Sequence, residues 1–374
     1  MPSVSYTLLL NGSPAPPEVL ATIQHLQVED HAEMADMLRM RMLIGVRESA
    51  SGWTLLDDEL FARLTNLRVL VNIGAEHAEP LIDAYVIDTR TEFSNTPGKS
   101  YLDVIAMDPT VLLSLDEKVR AWPNMTDSDI ASTIFGEYSF DEDVETTTVS
   151  YDEDNVTTMQ RGTDMRLLTQ LAKRNGFEVF VDLDQASGRL KGHFHKPRVD
   201  KTPQGVLSVN LGEATNVNVF QARFDMLKPA QAQARSLDVS SQEDQQGEAS
   251  ESSLKNLGKG PTIDPNRPRR VLVSQTGLSD ASELQTYSQA LVDQTSFSIL
   301  AEGELNTVAY GSLLKAKKLV SVRGAGRQFS GEYYVRRVLH QFTGDGHLQK
   351  FSLRRNATGL AGQESFTEDN ALRD

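Results

Sequence analysis

The chain of 374 residues carries a formal charge of −15, 39% apolar residues and no cysteine. That length and apolar content suffice for two or three ordinary cores. The missing thiols exclude disulfides, thiolate nucleophiles, cysteine zinc sites and iron–sulfur clusters, so stability must come from packing or assembly. The acidic balance speaks against direct sequence-specific nucleic-acid binding, which needs a basic footprint to displace counterions.

No apolar run approaches the roughly 20 residues that cross a bilayer, so no membrane insertion by this chain is expected. The opening stretch MPSVSYTLLLNGSPAP has neither a basic n-region nor a long hydrophobic core, so general export is not expected either. In chain order, Ser5 to Leu10 reads as a short strand ended by Asn11-Gly12. Ile23 to Asp30 with Met37 to Ile44 forms a second pair, and Leu67 to Ile73 alternates until Gly74. Leu81 to Ile87 runs on to Phe93, a Pro97-Gly98 turn follows, and Tyr101 to Met107 completes the set. No amphipathic helix interrupts this stretch, which predicts an antiparallel barrel over residues 1–118.

Residues 119–200 change character. Thr126 caps a helix whose stripe is Ile130, Ala131, Ile134 and Phe135. A second helix has Thr163 as cap, Asp164 against the dipole, Met165, Leu168, Leu171 and Ala172 on one face, and Gly176 as its stop. Phe177 to Leu183 and Leu190 to Phe194 then alternate as strands, giving a small inserted α+β domain. β pattern returns at 201–237, and residues 238–268 are so polar that a flexible loop is expected. A helix near 280–293 presents Leu284, Tyr287 and Leu291, the β pattern resumes at Ser296, and the second tube-like barrel is read over 201–237 and 269–358 before a frayed tail at 359–374.

The chain closes on a hairpin, GEYYVRRVLHQFTGDGHLQKFSLRRN, turning at Gly344-Asp345-Gly346, with Tyr334, Val338, His340 and Phe342 assigned to one side by period two. An internal echo organises the rest. Leu67 to Gly74, Ala84-Tyr85-Val86 and Tyr101 to Met107 match in pattern Lys318 to Gly324, Tyr333-Tyr334-Val335 and Phe351 to Leu353, each copy being strand, glycine, strand, turn, strand. The predicted fold class is mainly β with an α+β insertion: two tube-protein-like antiparallel β-barrels in one chain plus a small helix-containing domain.

Over residues 5 to 357 the sequence resembles the phage late control protein D family, the central baseplate hub of contractile tails, whose fold recurs at the start of the VgrG proteins. The residues that carry the resemblance are Asp164, Leu168, Leu171, Gly176 and Phe177 in the helix-glycine-strand passage, and Tyr334, Val338, His340, Arg355 and Asn356 in the closing hairpin. The resemblance implies a structural homotrimer, a symmetry adapter between a sixfold tail tube and a threefold spike, because three chains with two tube-like barrels each present six similar barrels. It implies a tail-tube or tube-initiator protein on one face, a separate spike protein on the other and surrounding baseplate proteins. Localisation is expected to be cytoplasmic assembly followed by incorporation into a phage tail or contractile injection particle. No enzymatic activity and no cofactor are expected. The other classes are an envelope-degrading enzyme, which needs two carboxylates in a cleft, and a monomeric β-sandwich binding module, which would lack paired barrels.

Chemical motifs are sparse. His193 and His195 share a strand face at a metal-compatible spacing, but no third ligand is evident near them, so strand-surface histidines are expected and no metal site is assigned. Asp182 and Asp184 with Ser187-Gly188 read as a hairpin turn, and Asp152 to Asn155 as a solvated loop. Gly324-Ala325-Gly326 lacks the third glycine of a phosphate loop. Arg336, Arg337 and Arg354 are the candidate inter-subunit contacts, positioned to meet acidic patches on neighbouring subunits.

Overall fold

Two runs of six strands dominate the structure, a computed structural model describing residues 4–47, 52–74, 78–149, 157–184, 186–237, 244–264, 266–274, 280–344, 346–362, 364 and 366. The acidic stretch Asp152 to Asn155, the turn residue Asp345 and the tail beyond 366 lie outside them. The first run comprises β1 (Val4–Leu10), β2 (Ile23–His31), β3 (Met37–Leu43), β4 (Asn66–Ile73), β5 (Ala78–Glu92) and β6 (Tyr101–Met107). They lie side by side in the order β2-β3-β6-β5-β4-β1, every contact antiparallel. Strict alternation explains the burial: Leu67, Val69, Val71 and Ile73 of β4 all point into one core, where they meet Leu8, Leu26, Leu38, Ile82 and Leu102 from the other five strands. A single core fed by all six strands means that the sheet is rolled, although no ladder joins β1 to β2 among the described residues.

The middle of the chain forms a separate packed unit from β7 (Glu117–Trp122), α1 (Asp127–Glu137), β8 (Asp141–Val144), β9 (Thr158–Thr163), α2 (Asp164–Asn175), β10 (Glu178–Leu183) and β11 (Leu190–His195). Thr126 and Asp129 close a reciprocal capping box on α1, and Thr163 caps α2. Gly176 ends α2 at φ 70°, where an added Cβ would sit 3.0 Å from Ala290, so left-handed backbone and close helix packing both require glycine. Leu167, Leu168 and Leu171 of α2 pack on Ile130, Ile134 and Phe135 of α1 and on Phe194 of β11.

The second run begins with β12 (Val206–Ser208) and β13 (Val217–Phe224). It detours through β14 (Gln231–Leu237), β15 (Asp244–Ala249), β16 (Arg270–Val273) and α3 (Ala281–Ser296), then resumes as β17 (Ile299–Asn306), β18 (Leu319–Arg323), β19 (Gly331–Thr343) and β20 (Gly346–Arg355). Its order is β13-β17-β20-β19-β18-β12, the first order repeated strand for strand. The one departure is that β12 runs parallel to β18, whereas β1 runs antiparallel to β4. Bulges repeat as well. The ladders shift between Ile23 and His25 in β2 and between Val217 and Val219 in β13, and again between Val86 and Asp88 in β5 and between Val335 and Arg337 in β19. Leu207, Val217, Ile299, Val320, Val335 and Leu353 make the second core.

One strand welds the two units. The first residues of β19 pair with β18, and from Arg337 to Phe342 the same edge pairs antiparallel with β2, placing Arg337 opposite His31 and Phe342 opposite Leu26. Phe342 thereby enters the core of the first unit, with its ring 5.1 Å from that of Tyr6. No helix among the described residues is long and apolar enough to cross a membrane.

Two expectations are corrected here. The bulge between Val335 and Arg337 breaks the period of two, so Tyr334 packs with Leu254, Leu257, Phe297 and Leu319 on the face opposite Val335 and Val338. The span 238–268 is not simply a flexible loop. Its residues 244–249 form β15 against β14, and Leu254 and Leu257 are buried; polar composition hid this because side-chain donors from elsewhere satisfy the backbone there.

Candidate functional site

Charges that a sequence reader assigns to the surface are gathered instead where the first unit, the inserted unit and the second unit meet. Lys317, in the connection before β18, donates to Asp30 Oδ1 at 2.6 Å and to Asp36 Oδ2 at 3.0 Å, joining residues more than 280 apart in sequence with only 13% of its side chain exposed. The Ala316 N–H donates to the other oxygen of Asp30 at 2.8 Å, and the Asp36 N–H donates to Asp108 Oδ2 at 2.7 Å. Burial pushes the Asp36 carboxyl well above its ordinary range and raises Asp108, in each case with Lys317 pulling the other way. For Asp30 the balance is reversed: burial raises it, but Lys317, the Ala316 N–H and His340 together leave it low.

A second cluster stands beside the first. Arg354 donates to Glu33 Oε1 at 2.6 Å and to Glu178 Oε1 at 2.8 Å, while the Tyr334 hydroxyl donates to Glu178 Oε2 at 2.5 Å. Glu33 belongs to the first unit, Glu178 to the inserted unit and Arg354 to the second, so one guanidinium ties all three. Arg354 is buried over the rings of Phe297 and Tyr334, and the expectation that it meets a neighbouring subunit is withdrawn. Arg336 and Arg337 are partly exposed, and they too pair within the chain, with Glu33 at 2.8 Å and Glu29 at 2.5 Å. Sequence distance hid all three partners.

The remaining singled-out residues have local structural roles. Asp164 is fully buried and accepts from Lys118 at 2.6 Å, Gln160 at 2.7 Å and Tyr138 at 2.8 Å; burial pushes it up, yet these donors hold it below the usual carboxylate range. Phe177 meets Phe194 edge to face at 5.1 Å. Arg355, buried, donates to the carbonyls of Leu257 at 2.7 Å, Ser330 at 2.8 Å and Gly359 at 2.5 Å, and Asn356 accepts from the Leu257 N–H at 3.0 Å. These two residues therefore order the polar 255–262 segment, and their adjacency in the closing strand is the signal that could have revealed it.

His340 and His347 face each other across the terminal hairpin, with ring nitrogens 3.3 Å apart, and Phe342 stacks on His347 at 3.9 Å. Burial pushes His340 down to about 4 and His347 down to about 3. Because these folded values lie below the ordinary imidazole pKa near 6.5, the pair contributes stability above that pH and loses it as pH falls toward 4. The unfolding free energy is expected to drop between pH 6.5 and 4 by up to ~1.4 kcal/mol per pH unit for each imidazole. His347→Gln should flatten that slope in denaturant titrations at pH 7 and 5; an unaltered slope would remove the histidines from the explanation.

A cleft of about 600 Å³ opens between the units, lined among others by Asp30, Arg68, Phe180, His193, Arg198 and Lys317. On its wall the expectation of two isolated strand-surface histidines is corrected: β8 lies parallel beside β11 and sets Asp143 directly opposite His193. His193 Nδ1 is 3.1 Å from Asp143 Oδ2, and its Nε2 is 3.0 Å from Asp182 Oδ1. Asp143 went unnoticed because it is 50 residues upstream and arrives through a parallel ladder.

No curated protein sequence matches the chain. Solved structures do. The 43 kDa tail protein of prophage MuSo2 from Shewanella oneidensis superposes with a TM-score of 0.63 at 18% identity, covering 95% of this chain and 100% of that one. A tail protein from Neisseria meningitidis gives 0.64 at 12% identity, covering 95% and 97%. An Escherichia coli component of the type VI secretion system, described as structurally similar to T4 bacteriophage tail proteins, gives 0.57 at 10% identity, covering 96% and 79%. At these identities the likeness establishes a shared fold, that of phage-tail and VgrG-like proteins, with the mainly β architecture derived above. The family model described as the Alg8 N-terminal domain matches residues 2–344, nearly the whole of the two-unit body. This chain therefore belongs to the Alg8 N-terminal domain family.

Proposed function

We propose that the protein is the structural baseplate hub of a contractile phage tail or phage-derived injection system, a homotrimeric symmetry adapter between a sixfold tube and a threefold spike. The observation that carries this reading is the repeat itself: two units of one strand order, joined edge to edge by β19 against β2. The equivalent edges, the side of β5 facing away from β6 beyond Val86 and the side of β13 facing away from β17, are left without a ladder partner among the described residues. A junction of the β19–β2 kind between β5 of one chain and β13 of the next would repeat the internal join between chains, and three chains would close a ring of six units.

The matched bulges set the register of that junction. Val86 corresponds to Val335 and Asp88 to Arg337, while Leu26, Glu29 and Asp30 correspond to Phe220, Arg223 and Phe224. Phe93 falls where Phe342 does. It is 58% exposed here, whereas Phe342 is buried in the adjoining unit, as expected of a residue awaiting a neighbour. The tube or tube-initiator protein would contact one rim of such a ring and the spike protein the other. Light scattering coupled to size exclusion is expected to give about three times the 41.3 kDa chain mass at micromolar concentration, and a monomer at every concentration would defeat the proposal. The paired cores stand against the single β-sandwich module.

A further inference from the structure

We propose that Asp143, His193 and His195 bind one divalent transition-metal ion, zinc by preference, on the wall of the cleft between the units. The nearest ligand atoms of the three side chains lie within 4.8 Å of one another. All three sit on neighbouring strands, β8 and β11, so the group is positioned by sheet register and not by a mobile loop.

The hydrogen bonds around each ring fix which nitrogen is left to coordinate. His195 Nδ1 stands 2.7 Å from the Lys196 carbonyl oxygen, which can only accept, so Nδ1 carries the proton and Nε2 keeps its lone pair. His193 has a carboxylate oxygen at each nitrogen, Asp182 on Nε2 and Asp143 on Nδ1. With the proton on Nε2, as a donor to Asp182, the Nδ1 lone pair faces the lone pairs of Asp143, and a cation shared between them removes the repulsion. An imidazole whose outer nitrogen donates to a carboxylate or a backbone carbonyl is the usual setting of a metal-bound histidine, and both rings have it.

The surroundings complete the chemistry. Phe180 stacks on His193 with ring centroids 4.3 Å apart and planes 10° apart, holding the ring plane. Arg198 donates to Asp143 Oδ1 at 2.5 Å, which leaves Oδ2 as a single coordinating oxygen. Two nitrogens and one carboxylate oxygen favour zinc and its neighbours over magnesium or calcium, and a water from the cleft would fill the fourth tetrahedral position. Such an ion would staple β8 to the β10–β11 hairpin inside the inserted unit. The site is independent of the hub reading.

The test uses the full chain, tag-free, stripped with chelator and titrated with zinc chloride at pH 7.5. Calorimetry is expected to give one ion per chain, with a thermal midpoint that climbs with free zinc. His195→Ala should weaken binding more than tenfold, Asp182→Ala about tenfold through loss of the orienting bond, and magnesium should give no heat. Absence of stoichiometric binding overturns the proposal, and so does binding that His195→Ala does not weaken. Should that variant fail to fold, cobalt on the wild-type chain reads the ligands directly. Intense visible bands of a tetrahedral ion support the site, and the spectrum of the hexaaquo ion rejects it.

Discussion

Replacing Lys317 with methionine is expected to destabilise the protein by about 3 kcal/mol or more, the cost of leaving buried carboxylates without their cation. Asp30, Asp36 and Asp108 are linked through Lys317 and the Asp36 N–H, and methionine fills the space of the lysine stem while supplying no charge. The sign of the pH dependence follows from the shifts. Burial already holds Asp36 and Asp108 high, against the pull of Lys317, and a carboxyl raised in the folded state contributes stability below its ordinary pKa and loses it as pH rises through the folded value. Without Lys317 these folded values rise further. The deficit of Lys317→Met should therefore be smallest near pH 4, where the carboxyls accept protons, and grow toward pH 7.5. Equilibrium unfolding in urea at both pH values measures it, and a deficit equal at the two would mean that lost packing and not unpaired charge is responsible.

How far the sequence reveals this molecule depends on the range of the interaction. Alternation is local, so the strands around Leu67 to Ile73 and Tyr101 to Met107 could be read directly, and their counterparts Lys318 to Gly324 and Phe351 to Leu353 exposed the repeat. The caps at Thr126 and Thr163 were legible for the same reason, each acting within three residues. What pattern missed depends on register and long-range pairing. One extra residue at the bulge turns Tyr334 to the other face, and no count of apolar residues foretells it. Arg354 looked like a surface charge because Glu33 and Glu178 are 321 and 176 residues away. Asp143 reaches His193 by a parallel ladder, which leaves no hairpin signature between them.

Exchanging one charged pair between two chain edges is expected to break the assembly and then restore it. Inside the chain Arg337 and Glu29 form a diagonal ion pair across the β19–β2 junction at 2.5 Å. The repeat carries that pair onto Asp88 and Arg223, with the signs reversed: the acid now stands on the long strand and the base on its partner. At the proposed junction between chains the reversal would preserve attraction while making each edge repel the wrong internal edge, Asp88 against Glu29 and Arg223 against Arg337, so that the two kinds of junction would not cross-pair. Asp88→Arg alone should cost about 1–2 kcal/mol at each junction, and with three junctions in a closed ring the trimer should weaken on the order of a hundredfold or more. Asp88→Arg combined with Arg223→Asp should recover most of the trimer, because both changes meet at the same contact. Arg223 is exposed and Asp88 is half-exposed, paired only with the exposed Arg90 at 3.0 Å, so circular dichroism and melting of the monomer should change little. Sedimentation equilibrium of the four proteins decides the matter: weakening by each single change without recovery in the double would place these residues outside a shared junction, and trimers indifferent to all three variants would place the interface on another edge.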